Sequence, residues 1–191
     1  MIILASASPR RSELLRNANI PFRVKPAHIP EFPEKGEAPL DYCRRLAREK
    51  AKKIHSEMPD GFVLGADTIV LADEQILEKP KDSNDAFRML RLLSGRTHQV
   101  STGVCLIGPD GIGGTFEDVE SETTSVTFAE LNDAEIRSYV ASGEPTDRAG
   151  AYAIQGTASR WVTEIRGCYF AVVGLPVPLV YRMLRKRNAI G

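Results

Sequence analysis

The sequence predicts a mixed β-sheet flanked by helices, in the α/β or α+β class. Short apolar runs alternate irregularly with segments of helical period, and several of those runs are separated by hairpin-length turns. The chain has 191 residues, 42% of them hydrophobic and 26% charged, an ordinary balance for a globular fold. No linker, internal repeat or low-complexity segment breaks it, so a single domain over residues 1–191, or two lobes sharing a core, is expected.

Each element has its own signal. Residues 2–5 form an apolar run that feeds a turn of small hydroxyl residues. Ser8 suits an N-cap and Pro9 the first helical position, and Leu14, Leu15 and Ala18 recur at helical spacing. A short strand at 22–24 and a loop punctuated by Pro26, Pro30, Pro33 and Pro39 lead to a helix over 40–54. Residues 62–71 and 75–77 read as strands around a turn at Asp73 and Glu74, which is not a favoured tight-turn pair. A helix over 83–93, closed by Gly95, precedes strands at 97–107 and 116–128 across the turn "GPDGIGG". Asn132 and Glu135 match a capping box for a helix carrying Ile136, Tyr139 and Val140 and ended by Gly143. After the loop "GEPTDRAGAYAIQG", residues 161–165 and 169–173 read as strands flanking a turn at Arg166–Gly167, and a basic helix over 178–187 closes the chain.

Composition excludes several classes. Twenty-five basic residues balance 25 acidic ones, so nothing global points to nucleic acid or membranes, and an anion site must be a local cluster. Cys43, Cys105 and Cys168 lie far apart, and His28, His55 and His98 show no metal-ligand spacing, which argues against a disulfide framework or a zinc site. The opening apolar run is too short for a signal peptide, and no stretch approaches the ~20 apolar residues of a membrane helix. A soluble cytosolic protein is expected.

Four segments carry candidate chemistry. In "SASPRR" the hydroxyls of Ser6 and Ser8, the helix N–H groups and the guanidiniums of Arg10 and Arg11 can converge on one anion; a solvated helix start would look the same. Two cations at a positive helix end are the wrong sign by roughly 0.3–1 kcal/mol each, so a negative partner is called for. In "FVLGADTIVL" Asp67 interrupts an apolar run, which is costly unless the carboxylate is paired, bonded to nearby backbone or metal-bound. A two-residue turn at 73–74 would set Lys79 opposite Thr68 and beside Asp67. In "CRRLAREKAKKI" Cys43, Ala47, Ala51 and Ile54 mark the apolar stripe. Lys50 falls on that face, to snorkel outward or to serve as a further cation, while Glu49 points outward towards Arg45 or Lys53. The loop with Asp147, Arg148 and Gln155 is either a plain connection or a place where binding residues gather.

The ordered segments "LASASPRRSELL", "LAREKA", "LGADTIV", "EKPKD", "LSGRTHQVSTGV", "GEPTDRAGAYAIQG" and "VVGLP" span nearly the whole chain, which thereby resembles the Maf family of nucleoside-triphosphate pyrophosphatases. The resemblance implies an elongated mixed sheet with helices in two lobes around a deep cleft, related to the inosine-triphosphate pyrophosphatases. It implies hydrolysis between the α and β phosphates, Asp67 as catalytic proton acceptor, Lys50, Lys79 and Arg11 as catalytic cations, and Ser6, Ser8, Arg10, Arg11 and Asp147 on the substrate. Asp67 and Glu31 would hold a divalent cation, Mg²⁺ or alternatively Mn²⁺. Arg10, Thr68 and Gln155 match positions that distinguish the dTTP/UTP branch. A glutamine amide can accept from the N3–H of uracil or thymine and donate to a neighbouring carbonyl, whereas the 7-methyl-GTP branch carries glutamate there. Arg148 stands where a lysine is usual, and "IQGTASRW" departs from the usual glycine-containing continuation. A homodimer, a house-cleaning role against modified nucleotides and a link to cell division are implied too. The alternatives are a 7-methyl-GTP pyrophosphatase and a non-catalytic nucleotide-binding regulator of septum formation.

Overall fold

The computed structural model describes residues 1–190. Strands are β1 (Ile2–Leu4), β2 (Phe22–Val24), β3 (Val63–Ala72), β4 (Gln75–Leu77), β5 (Thr97–Pro109), β6 (Thr115–Phe128) and β7 (Val162–Arg166). Helices are α1 (Pro9–Asn17), α2 (Pro39–His55), α3 (Ser83–Leu93), α4 (Asp133–Ala141), α5 (Tyr169–Val173) and α6 (Val177–Lys186). The strands form one seven-stranded sheet in the order β2-β1-β3-β5-β6-β7, with β4 on β3. β1 runs parallel to β2 and β3, while the β3–β4 and β6–β7 pairs are antiparallel, so the sheet is mixed as expected.

The chain divides into two compact units. One comprises Met1–Asp67, Thr102–Glu122 and the chain from Gly174 on; the other comprises Thr68–Ser101 and Thr123–Val173. The first unit shows why its strands are apolar on both faces. Ile2 and Leu4 of β1, Leu64 and Ala66 of β3, and Val104 and Leu106 of β5 pack with Leu15 of α1 and Leu179, Val180, Met183 and Leu184 of α6. The alternate residues Ile3, Ala5, Val63, Cys105 and Ile107 pack instead with Ala47, Ala51 and Ile54 of α2. A period of two along each strand thus sorts side chains between two helical layers. The second unit is built around Val70, Leu77, Leu90, Leu93, Phe128, Tyr139, Tyr152 and Trp161.

The predicted hairpin is present. Val70 faces Leu77, Leu71 faces Ile76 and Ala72 faces Gln75, the register expected from a turn at Asp73–Glu74. Both turn residues are left-handed, with φ of 47° and 64°, the conformation a twisted two-residue hairpin requires. The ladder ends at Leu77, and Glu78 instead accepts a backbone hydrogen bond from Gly150, so Lys79 lies beyond the paired strand. The capping box of α4 is complete: Asn132 Oδ1 accepts from the Glu135 N–H at 2.9 Å and Glu135 Oε2 from the Asn132 N–H at 3.0 Å. Ser8 is the N-cap of α1, but its side chain makes no capping bond.

One element differs in kind. Residues 169–173 form α5, not a strand. The run "YFAVV" has strand composition, but the chain reverses at Gly167 (φ 127°) against Thr124, whose hydroxyl accepts from the Cys168 N–H and donates to the Cys168 carbonyl. The Cys168 carbonyl also accepts from Ala171, and the segment coils. Local tertiary contacts override propensity here.

Candidate active site

Val63 and Gly65 of β3 face α2, so Asp67, two residues on, faces the same way. A Cβ at Gly65 would overlap the Ala47 carbonyl oxygen, and one at Gly103 would lie 2.7 Å from that of Cys43. Glycine at both positions lets α2 settle directly on β3 and β5. That close approach brings the inward face of α2 to Asp67. Lys50 Nζ lies 2.6 Å from Asp67 Oδ1 and 2.7 Å from Glu31 Oε1, with only 6% of Lys50 and 7% of Asp67 exposed. Glu31 reaches this ammonium from the proline-rich loop and stays half-exposed. As the pattern of α2 predicts, Glu49 turns outward and pairs with Arg45.

Arg11 is the other buried cation. Its Nε donates to the Gly174 carbonyl at 2.8 Å and its Nη1 to Ser6 Oγ at 3.0 Å. Ser6 Oγ also accepts from the Ser8 N–H at 3.2 Å, which ties the hydroxyl turn to the start of α1. Arg10, one residue earlier, is partly exposed. Burial lowers the pKa of Arg11, and Asp67 opposes that shift. Burial raises the carboxyl of Asp67 above its ordinary value, against the pull of Lys50 and Arg11. Beneath Asp67 lies Cys43: its thiol donates to the Asp67 carbonyl oxygen and accepts from the Gly103 N–H at 3.0 Å, and burial pushes its pKa up to about 12. This thiol is therefore an uncharged strut, not a nucleophile.

The first unit so assembles Ser6, Ser8, Arg11, Glu31, Lys50 and Asp67 of the predicted residues. Two carboxylates face two cations, which leaves the cluster close to neutral before anything binds. A buried carboxylate with a raised pKa is suited to take a proton from water, and the surrounding cations to stabilise phosphate oxygens. Arg10 lies in the same unit, next to Arg11, and the remaining predicted residues belong to the second. Thr68 directly follows Asp67 on β3, and Lys79 is exposed after β4. Asp147 is exposed at the end of the 3₁₀ turn Glu144–Asp147. Gln155 is exposed within a tight turn closed by the Gly156 N–H on the Ala153 carbonyl at 3.0 Å.

Sequence reasoning missed Cys43, Gly103 and Gly174 as parts of this cluster. Cys43 read as one member of an apolar stripe. Gly174 stands in "VVGLP", where nothing local marks its carbonyl as the acceptor for an arginine 163 residues earlier.

A family model described as Maf-like protein matches residues 1–187. A dTTP/UTP pyrophosphatase of Koribacter versatilis (strain Ellin345) is 59% identical over 189 residues, covering 99% of this chain and 95% of that protein. Proteins of the same name from Geobacter sp. (strain M21) and Syntrophomonas wolfei subsp. wolfei are 53% and 48% identical, covering 100% and 97% of this chain and 97% and 96% of theirs. Matched over nearly its whole length by that model and by these relatives, the chain belongs to the Maf-like protein family.

Proposed function

We propose that the chain is a nucleoside-triphosphate pyrophosphatase that hydrolyses dTTP and UTP to the monophosphate and pyrophosphate. The observation that carries the reading is the buried carboxylate of Asp67, held by Lys50 and near Arg11, in a chain 59% identical to a protein named for this activity. Asp67 orients the attacking water and accepts its proton. Lys50 and Arg11 neutralise charge on the phosphates, with Arg10, Ser6 and Ser8 holding the polyphosphate at the start of α1. By the family resemblance Lys79 adds a further cation, Thr68 and Asp147 contact substrate, and Gln155 reads the base.

Asp67 and Glu31 also fit a divalent cation. Both place an oxygen within 2.7 Å of the Lys50 ammonium, a position suited to positive charge, and carboxylate oxygens are the hard donors Mg²⁺ and Mn²⁺ take. No group of three or more His, Cys, Asp or Glu side chains suited to a metal occurs among the described residues, so Asp67 and Glu31 are the side chains that would hold the ion. When bound, the ion supplies Lewis-acid polarisation of the phosphates. Lys50 and Arg11 already balance the two carboxylates, so a bare dication would leave the pocket strongly positive.

Pyrophosphate release across a panel of triphosphates with Mg²⁺ or Mn²⁺ tests the assignment. dTTP and UTP are expected to be best; a preference for 7-methyl-GTP overturns the base reading, and tight nucleotide binding without product favours a regulator. Asp67→Asn is expected to lower kcat by about a hundred- to ten-thousand-fold with the fold intact by circular dichroism. Wild-type activity should fall as pH drops through the raised pKa of Asp67, above the ordinary carboxylate range, because only the ionised form accepts a proton. Near-normal turnover by Asp67→Asn would remove this residue from the chemistry.

A further inference from the structure

The base-reading assignment leaves one question: what holds Gln155 where it can choose a base? Its side chain is exposed, and its backbone lies in the four-residue turn 153–156. Just inside the turn, Ile154 is buried in the aromatic core. Both ends of the turn are tied to a single pair of side chains. Tyr139 Oη accepts from the Ala153 N–H at 3.3 Å. Glu144 Oε1 accepts from the Thr157 N–H at 3.1 Å and Oε2 from the same N–H at 3.3 Å. The two side chains are joined to each other, Tyr139 Oη donating to Glu144 Oε1 at 3.1 Å. A Cβ on Gly156 would overlap the Glu144 carboxylate, so the carboxylate lies directly against the turn's backbone.

We propose that Glu144, acting with Tyr139, is the positioning residue for Gln155 and thereby sets base discrimination. The proposal rests on Gln155 reading the base. An amide at the end of a flexible side chain selects one base only when its backbone is held, because a displacement of about 1 Å costs the geometry of a paired hydrogen bond. The Tyr139–Glu144 pair clamps the residues before and after Gln155, so the turn is built before substrate arrives. Glu144 touches no reacting atom in this scheme; it acts through Gln155. The acidic residue of the "GEP" segment thus has a role distinct from metal or proton chemistry.

The test measures kcat and KM for dTTP and dGTP in wild type, Glu144→Ala, Glu144→Gln, Gln155→Ala and the double variant Glu144→Ala/Gln155→Ala. Glu144→Ala is expected to raise KM for dTTP and to lower the dTTP-over-dGTP ratio of kcat/KM, each by roughly tenfold, with kcat within about threefold. Glu144→Gln keeps an amide oxygen that accepts both bonds of Oε1, and should retain most of the ratio. The double variant should match Gln155→Ala alone, the non-additivity expected of residues acting as a unit. If Glu144→Ala weakens both substrates equally and leaves the ratio unchanged, its role is only structural and the proposal fails. Additive losses in the double variant overturn it as well. A Gln155→Ala ratio equal to wild type removes the base reading itself, which separates that failure from this one. Should Glu144→Ala not fold, Tyr139→Phe breaks the same clamp while keeping the ring, and the same loss of ratio is expected.

Discussion

The two units bury polar groups in opposite ways. In the first unit Arg11, Lys50 and Asp67 are nearly inaccessible and charged, and they are tolerated because they neutralise one another and use their hydrogen bonds. In the second the fully buried polar residues are neutral: His98 and Tyr152 share a 2.8 Å hydrogen bond, and Ser101 bonds Thr123 at 2.9 Å, while the one charged group with buried nitrogens among the described residues of this unit, the Arg148 guanidinium, belongs to a partly exposed residue. Aromatic rings pack on the first pair, with His98 edge-on to Phe128 at 5.1 Å and Phe128 edge-on to Tyr152 at 4.8 Å. Polar groups with candidate roles there, Lys79, Asp147 and Gln155, sit outside this core on turns. One unit therefore preorganises charge inside its fold, and the other preorganises backbone from which polar side chains project.

The largest effect is expected from Gly65→Ala, because neither the Ala47 carbonyl nor β3 can yield to the new methyl without lifting α2. We expect a loss on the order of 5 kcal/mol in urea unfolding, together with the Lys50–Asp67 pairing. A variant within about 1 kcal/mol of wild type would show that the close approach of α2 is not what holds the charged cluster.

Next comes Lys50→Met, which leaves Asp67 buried and Glu31 without its ammonium. A loss of about 4 kcal/mol is expected at neutral pH. Adding Asp67→Asn should recover much of it, because the uncompensated charge is then gone. No recovery in the double variant would mean that lost packing, not charge, is responsible.

The neutral unit should respond to acid. Burial lowers the pKa of His98 from 6.5 to about 4, so between those values the unfolded chain binds a proton that the folded chain does not. Stability from this group is present above pH 6.5 and is lost as pH falls towards 4, by roughly 3 kcal/mol in total. His98→Phe should flatten that part of a stability-against-pH curve, while sacrificing the bond to Tyr152 at every pH. An unchanged acid slope would locate the sensitivity elsewhere.

The smallest effect tests a local feature. Asn132→Ala removes half of the capping box of α4 and should lower stability by about 1 kcal/mol without altering kcat/KM for dTTP. A change in nucleotide discrimination would tie this cap to the Tyr139 clamp on the same helix.

Much of this was legible because it depends on neighbours in sequence. The capping box is written in residues 132 and 135, and the hairpin register follows from counting outward from residues 73 and 74. Spacing to Ala47 and Ile54 puts Lys50 on the apolar face of α2 but leaves it free to snorkel outward; its ammonium is turned inward by the contact with Asp67. Asp67 stood out because a carboxylate in an apolar strand requires a partner. The resemblance supplied Glu31, whose loop carries no periodic pattern from which its direction could be read.

Local pattern, then, accounts for most of the elements, for the alternation of strand faces and for an acidic group in an apolar strand and a lysine on an apolar helical face, since each follows from a period of two or of 3.6. Tertiary structure alone decided which distant groups complete the charges: the Gly174 carbonyl on Arg11, Glu31 on Lys50, and Cys43 spanning Asp67 and Gly103. It also decided that residues 169–173 coil instead of pairing. Contacts between residues far apart in the chain depend on how helices seat on the sheet, and that seating is set by clearances such as the one above Gly65, which no local pattern encodes.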